Sequence, residues 1–220
     1  LVDMINSGPD ATPSSALGPF HIMGAPDLAI GGDLKKDNPG DYVVVSGTVR
    51  DAEQKPVGGA VLEIWQTAPN GLYSNQDPEQ SAFNLRARLK TGADGHYAFT
   101  TVRPSAYTVP DDGPVGEILH ATGRHPWRPA HYHFIVFAPD HRTLVTELFP
   151  SDDAYIDDDA VFGVRRALTV PFKRHDDLAD LPGGLEAADR ITAPWYWVDF
   201  DFVLPKGEGG SAAPDGLSAQ

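Results

Sequence analysis

Residues 42–50 read Tyr-Val-Val-Val-Ser-Gly-Thr-Val-Arg, a run of β-branched side chains with a single glycine. Such a run favours a pleated, half-buried surface over a helix. Five residues on, Lys55–Gly59 (KPVGG) is a turn cluster, and Ala60–Thr67 (AVLEIWQT) is a second short apolar run. The pattern repeats outward from there. His96–Val102 (HYAFTTV) follows the hairpin-type signal Asp94-Gly95, and His131–Ala138 (HYHFIVFA), Thr143–Phe149 (TLVTELF) and Val164–Val170 (VRRALTV) continue it. In Trp195–Leu204, Tyr196, Val198, Phe200, Phe202 and Leu204 alternate with polar positions that include Asp199 and Asp201, the signature of a strand with one buried face. Many short strands between Gly/Pro turns predict an all-β fold, a β-sandwich with long loops and few short helices. The 20 prolines and 22 glycines suit ordered loops. Only Asp176–Asp189 has a helical cast, and Pro182-Gly183-Gly184 interrupts it. No internal repeat is visible.

At 220 residues the chain is long enough to bury a sizeable core. The net charge of −14 and the lack of a basic patch argue against nucleic acid as a partner. No apolar run reaches the ~18–20 residues of a membrane span, and no charged-then-apolar leader opens the sequence. With no cysteine, disulfides and thiolate metal sites are excluded, which fits a cytoplasmic protein. Composition suggests a loose leading segment (1–15), a sandwich domain (16–204) and a flexible Gly/Ser/Ala/Pro-rich tail (205–220).

The sharpest chemical signal is His131-Tyr132-His133. On a strand, residues i and i+2 share a face and stand ~6.5 Å apart. Two imidazoles so placed can reach one metal through bonds of ~2 Å. They could equally be solvent-facing residues of an amphipathic strand. The apolar Phe134, Val136 and Phe137 favour burial, where two unpaired imidazoles would be costly. Two histidines do not complete a site, and the carboxylates Glu63, Glu147 and Asp157–Asp159 have no distinctive spacing. Tyr73 (in Pro69–Ser74) and Tyr107 (in Arg103–Tyr107) fall on expected loops, where a tyrosine is ordinarily a packing residue with a wet hydroxyl.

Taken together, several segments are more specific. They are LEIWQ (62–66), NGLYS (70–74), FNLRAR (83–88), DGHYAFTTVRPSAY (94–107), DGPVGEIL (112–119) and GRHPWRPAHYHF (123–134). The stretch from about Ala11 to Phe172 resembles the intradiol ring-cleaving dioxygenases, which act on catechol, chlorocatechols and hydroxyquinol. The resemblance implies one iron(III) per chain, held by Tyr73, Tyr107, His131 and His133. Tyr107 and His133 would be axial, and Tyr73 and His131 equatorial beside a hydroxide. Two phenolates are hard anionic donors that suit this ion. The implied reaction inserts both atoms of O2 between the two ring hydroxyls and yields a cis,cis-muconate-type diacid. Arg128 is implied to stabilise negative charge on the ring, and Tyr107 to leave the metal and take a substrate proton. Leu17, Gly18 and Pro19, in LGPF, match the lip of the family's substrate pocket. Glu147 stands where catechol-cleaving relatives carry Gln, and Ala160 where they tend to carry Phe. These two departures, with GPVGEIL and RHPWRPAH, point to the hydroxyquinol branch. Relatives also carry a helical segment used for dimerisation, of which Leu1–Ser7 resembles only the last turns, so a homodimer is an open expectation. The rival reading is a non-catalytic transthyretin-like binding module, which needs no metal.

Overall fold

The computed structural model describes residues 10–207. Their strands form two six-membered sheets and a small ribbon. The first sheet runs β1 (Asp27–Leu28), β5 (Arg86–Lys90), β4 (Val61–Gln66), β9 (Tyr132–Phe137), β10 (Leu144–Pro150), β11 (Thr169–Val170). The second runs β12 (Lys173–His175), β13 (Trp195–Asp199), β3 (Tyr42–Asp51), β6 (His96–Val102), β2 (Gly32–Asp33), and β14 (Phe202–Leu204) also pairs with β3. β7 (Tyr107–Thr108) pairs with β8 (Trp127–Arg128) in the ribbon.

The inner faces of the sheets meet in one core. Val43, Val45 and Val49 of β3 join Leu62 and Ile64 of β4, Phe134 and Val136 of β9, and Phe202 and Leu204 of β14. Each is at the two-residue period that puts it on the inward side, and full burial contributes about 1.5–3 kcal/mol per aliphatic side chain. On β9 the intervening residues are buried as well, so the whole strand is shielded from water. Its outer face carries His133, Ile135 and Phe137, and loops cover it. That double coverage explains a strand that reads as nearly continuous apolar sequence.

The alternating stretch 195–204 is realised with one interruption. β13 and β14 lie on β3 in a common register, Tyr196 opposite Val43 and Phe202 opposite Val49. Between them the Phe200 carbonyl crowds Gly47, where an added Cβ would lie 1.9 Å from that oxygen, so only glycine fits. Asp201 accepts from the Thr48 amide at 2.7 Å and from Arg50 Nε at 2.8 Å.

The helix expected in 176–189 is absent apart from a 3-10 turn, Ala188–Arg190, that overlaps the segment's end. Among the described residues the α-helix is instead α1 (Pro114–Ala121). Its eight residues are too few to show a 3.6-residue period. Local chemistry sets it: Pro114 opens it, Glu117 lies in the first turn and His120 in the last. Val164–Val170 forms a 3-10 turn (Arg166–Leu168) before the two-residue β11. Arg86–Lys90, quoted only as part of a motif, is a strand. Tyr107 opens β7 rather than lying on a loop.

Residues 12–15 are held firmly on the sandwich, contrary to the loose leading segment expected there. The Thr12 amide donates to Val203 at 3.1 Å, the Ser15 amide to Val145 at 2.8 Å, and Ser14 and Ser15 are buried. At the other end Pro205 accepts from the Arg142 amide at 2.9 Å and the Gly207 amide donates to Asp140 at 3.1 Å. The helical remnant in 1–7 and the rest of the expected tail, 208–220, lie outside the described residues. Among the described residues no helix is long and apolar enough to cross a membrane.

Candidate metal centre

One row of side chains crosses the outer face of the first sheet. Arg86 pairs with Trp65, Trp65 with His133, and His133 with Glu147, on β5, β4, β9 and β10 in turn. Directly paired residues point to the same side with Cβ atoms ~4.5–5.5 Å apart. The Trp65 ring lies flat on His133, centroids 4.6 Å apart and planes at 3°. That stack fixes the imidazole's orientation.

His131 lies just ahead of β9 and on the same side. Its Nδ1 is 2.8 Å from the Pro129 carbonyl. A carbonyl only accepts, so Nδ1 carries the proton and Nε2 presents a lone pair. That Nε2 is 3.1 Å from His133 Nε2 and 3.3 Å from the Tyr73 hydroxyl, which is itself 3.2 Å from His133 Nε2. Three donor atoms thus form a buried triangle. Bonds of ~2 Å at ordinary coordination angles place neighbouring ligand atoms ~2.8–3.3 Å apart, so the triangle matches one face of a coordination sphere. With His133 Nε2 also turned to the triangle, its Nδ1 is buried without a hydrogen-bond partner, with Glu147 Oε1 3.6 Å away.

Tyr73 follows β4 on a turn in which Gly71 adopts φ 80° and the Ala68 amide donates to Leu72. Phe20 stacks on its ring at 4.5 Å. Tyr107 meets Tyr73 edge-on at 5.4 Å, and its ring lies 5.5 Å from that of His131. Burial, then the charge of Tyr107, pushes the Tyr73 phenol well above its usual range, and burial raises Tyr107 too. Burial and then Arg128 hold His131 down at about 4; burial and then His131 hold His133 well below its usual value. Burial therefore favours both imidazoles in the neutral form a metal ligand needs, and a cation is what would draw the protons off such phenols.

Arg128, on β8, reaches this cluster. Nη1 donates to Glu147 Oε1 at 3.0 Å and lies 3.4 Å from His131 Nε2. Nε and Nη2 donate to Asp159 Oδ1 and Oδ2 at 3.1 and 3.3 Å. Burial opposes the guanidinium charge, but Glu147, Tyr107 and Asp159 outweigh it and raise its pKa. Glu147, 1% exposed, also accepts from Ser15 Oγ through a short hydrogen bond.

Tyr73, Tyr107, Arg128, His131, His133 and Glu147 thus converge. Gly18 borders them, since a Cβ there would lie 3.6 Å from His133 Cε1, and Leu17 packs on the same aromatic cluster. Pro19 links Gly18 to Phe20. Ala160 is buried against β8, its amide donating to Trp127 at 3.0 Å. Glu63 is not at the centre; it pairs with His21 at 2.7 Å. Asp158 sits by His125 at 3.2 Å, and Asp159 serves Arg128. Among carboxylates of the described residues, only Glu147 joins His131 and His133 in a set whose ligand atoms lie within 4.8 Å. Ser15, Trp65 and Arg86 were not expected as parts of the centre; Phe20 was expected only as the end of the LGPF lip, and Asp159 only as one of the candidate carboxylates without distinctive spacing. Arg86 ties the lip to the Tyr73 turn, donating to Phe20 O at 2.6 Å and to Ser74 Oγ at 2.7 Å. A groove of about 960 Å³ opens on the same face toward Val61 and Phe137, two rows beyond His133, and is lined by none of these residues.

A buried cluster of two histidines and two tyrosines thus lies on one face of a β-sandwich, a donor set that would fit a single hard metal ion. The family model described as dioxygenase matches residues 18–205, and the chain belongs to the intradiol ring-cleaving dioxygenases. It is 45% identical over 212 residues to the hydroxyquinol 1,2-dioxygenase of Rhizobium sp. (strain MTP-10005), covering 94% of this chain and 70% of that one. Over 193 residues it is 44% identical to the 6-chlorohydroxyquinol 1,2-dioxygenase of Cupriavidus pinatubonensis, covering 88% and 64%. The crystal structure of hydroxyquinol 1,2-dioxygenase from Pseudomonas putida DLL-E4 matches with a TM-score of 0.83 and 44% identity, over 90% of this chain and 68% of that one. The chain thus spans about two thirds of the length of these relatives. Relatives named as enzymes, and a buried donor cluster, leave the non-catalytic binding-module reading without support.

Proposed function

We propose that the protein is an iron(III)-dependent intradiol dioxygenase acting on hydroxyquinol (1,2,4-trihydroxybenzene) and O2, with one ion per chain held by Tyr73, Tyr107, His131 and His133. The observation that carries the reading is the buried triangle of Tyr73 Oη, His131 Nε2 and His133 Nε2 at 3.1–3.3 Å. The two phenols select a hard, highly charged ion over a soft divalent one. When bound, iron(III) acts as a Lewis acid that draws electron density from a chelated diolate.

The chain's own groups supply the rest. Tyr107, on the short ribbon and edge-on to Tyr73, is placed to accept a proton from one ring hydroxyl. Arg128 Nη1 faces the same space and stabilises negative charge on the ring. Phe20, Trp65 and the lip at Leu17, Gly18 and Pro19 exclude water. Glu147 is an acceptor for the third hydroxyl, and Ala160 leaves room beside the ring. The product is 3-hydroxy-cis,cis-muconate, the enol form of maleylacetate. The lack of cysteine is consistent with work in the cytoplasm.

Metal analysis, the visible spectrum and product analysis test this together. Stoichiometric iron, a red to burgundy phenolate-to-iron band that shifts or fades in Tyr73→Phe, and ring opening between the hydroxyls are expected. A colourless, iron-replete protein with full activity would overturn the tyrosinate assignment. A kcat/KM higher for catechol than for hydroxyquinol would overturn the substrate and leave the reaction class standing.

A further inference from the structure

Arg128 lies between two buried carboxylates, and they hold it differently. Glu147 takes one nitrogen, Nη1, at 3.0 Å. Asp159 takes the Nε/Nη2 edge with both oxygens. Asp159, 4% exposed, is itself immobilised: Oδ1 accepts from the Val161 amide at 3.2 Å and Oδ2 from the Gly163 amide at 2.8 Å. The loop that carries it is pinned again from behind. Arg124 donates to the Asp159 and Ala160 carbonyls at 2.9 and 3.0 Å, and the Ala160 amide donates to Trp127. Gly163 closes the arrangement, because a Cβ there would lie 2.8 Å from Arg128 Nη2 and 3.1 Å from Asp159 Oδ2.

A guanidinium prefers to face a carboxylate with two parallel N–H donors. Without Asp159, the nearest such partner for Arg128 is Glu147. Turning to it would commit a second nitrogen and the carboxylate together. The edge held by Asp159 therefore leaves Nη1 as the nitrogen turned toward His131, 3.4 Å from its Nε2.

We propose that Asp159 is a positioning residue that acts through Arg128: seated against Gly163, it fixes the guanidinium edge-on so that Nη1 alone is presented beside the metal ligands. The inference rests on the role given to Arg128 above and adds the residue that sets its geometry. Placement errors near 1 Å at such a group cost up to ~10²-fold in rate.

The test uses the iron-loaded protein and five variants: Asp159→Asn, Gly163→Ala, Arg128→Met, and each of the two loop changes in the Arg128→Met background. Asp159→Asn keeps shape and one oxygen acceptor but loses the charge; Gly163→Ala presses on Nη2 first and on Asp159 Oδ2 less closely, and keeps the Asp159 carboxylate. The backbone at Gly163 is outside the left-handed region, so alanine is tolerated there. Each single loop change is expected to lower kcat by about 10-fold or more, with iron content and the visible band unchanged and KM moved less than kcat. In the Arg128→Met background each should change kcat by less than about twofold, since the group they position is gone. Wild-type kcat in both single loop variants overturns the inference. So does an undiminished loss in the Arg128→Met background, which would mark a merely structural loop. If Asp159→Asn fails to fold, Gly163→Ala decides by the same criteria. Wild-type kcat in Arg128→Met alone would instead overturn the role of Arg128 itself, and the inference with it.

Discussion

Two histidines in this protein lie flat on tryptophans, and only one belongs to the proposed metal centre. His133 stacks on Trp65 at 4.6 Å and 3°, and His175 stacks on Trp195 at 4.3 Å and 14°. Both are buried, and each has one ring nitrogen without a hydrogen-bond partner. Burial, stacking and an unpartnered nitrogen therefore do not distinguish a ligand from a packing residue. The difference is in what faces the other nitrogen. His133 Nε2 meets a second imidazole nitrogen and a phenol within 3.2 Å. His175 Nδ1 meets Asp180, a side chain 65% exposed, at 3.2 Å. Convergence of donors that cannot all satisfy one another marks the centre, and it arises because β9, β4 and the Tyr73 turn meet on one sheet face.

The largest expected effect breaks the two histidines apart. His131→Ala or His133→Ala removes one of only four proposed protein donors and should lose most of the iron, with kcat down by about 10³-fold or more. Their folds should persist, because the main core lies on the opposite face of the sheet. His175→Ala should keep stoichiometric iron and near wild-type turnover while losing about 2–4 kcal/mol of stability from the cavity under Trp195. Iron content, turnover and urea denaturation of the three variants check this. Full iron in both His131→Ala and His133→Ala would erase the distinction.

A smaller effect sharpens the comparison at the acids beside each ring. Glu147 is 1% exposed and bonded to Ser15 and Arg128, whereas Asp180 is in water. Glu147→Gln should reduce the kcat/KM ratio of hydroxyquinol over catechol by about 10-fold if the carboxylate accepts the third hydroxyl. An equal change for both substrates would mean that Glu147 serves Arg128 only. Asp180→Asn should leave the ratio unchanged and shift stability by no more than about 0.5 kcal/mol.

The strands were legible because their period is local: Val43, Val45, Leu62, Ile64, Phe134 and Val136 sit two residues apart within each run. His131 and His133 were legible for the same reason. Tyr73 and Tyr107 were not readable from local pattern; each became meaningful only through the resemblance of the segments around it. Trp65, Glu147 and Arg86 became neighbours of the site through strand register, which fixes cross-strand pairs that no single run encodes. α1 escaped notice because eight residues make barely two turns. Asp159 was visible only as the last of three aspartates; its partners are set by a loop folding back on β8. Thr12–Ser15 lacks hydrophobic periodicity, and its order comes from edge hydrogen bonds to Val203 and Val145.

The smallest effect concerns phenols that resemble Tyr73 in burial but meet a single acceptor. Tyr97 donates to the Phe200 carbonyl at 2.6 Å and Tyr132 to the Val102 carbonyl at 3.2 Å, both within the core. Burial raises both well above the ordinary phenol value. An acid whose folded pKa is raised ionises first in the unfolded chain, near pH 10. Below that pH these groups are neutral in both states and their contribution is intact. As pH rises above 10 the unfolded chain releases protons that the folded chain keeps, so stability falls until the folded groups ionise as well. Each tyrosine should contribute a loss approaching about 1.4 kcal/mol per pH unit in this window. Tyr132→Phe should lower stability at pH 8 through the lost hydrogen bond, about 1 kcal/mol, yet flatten the decline between pH 10.5 and 11.5. Urea denaturation of wild type and Tyr132→Phe across that range checks it. Equal slopes would mean that Tyr132 ionises alike in both states, against the burial that raises its phenol in the folded chain.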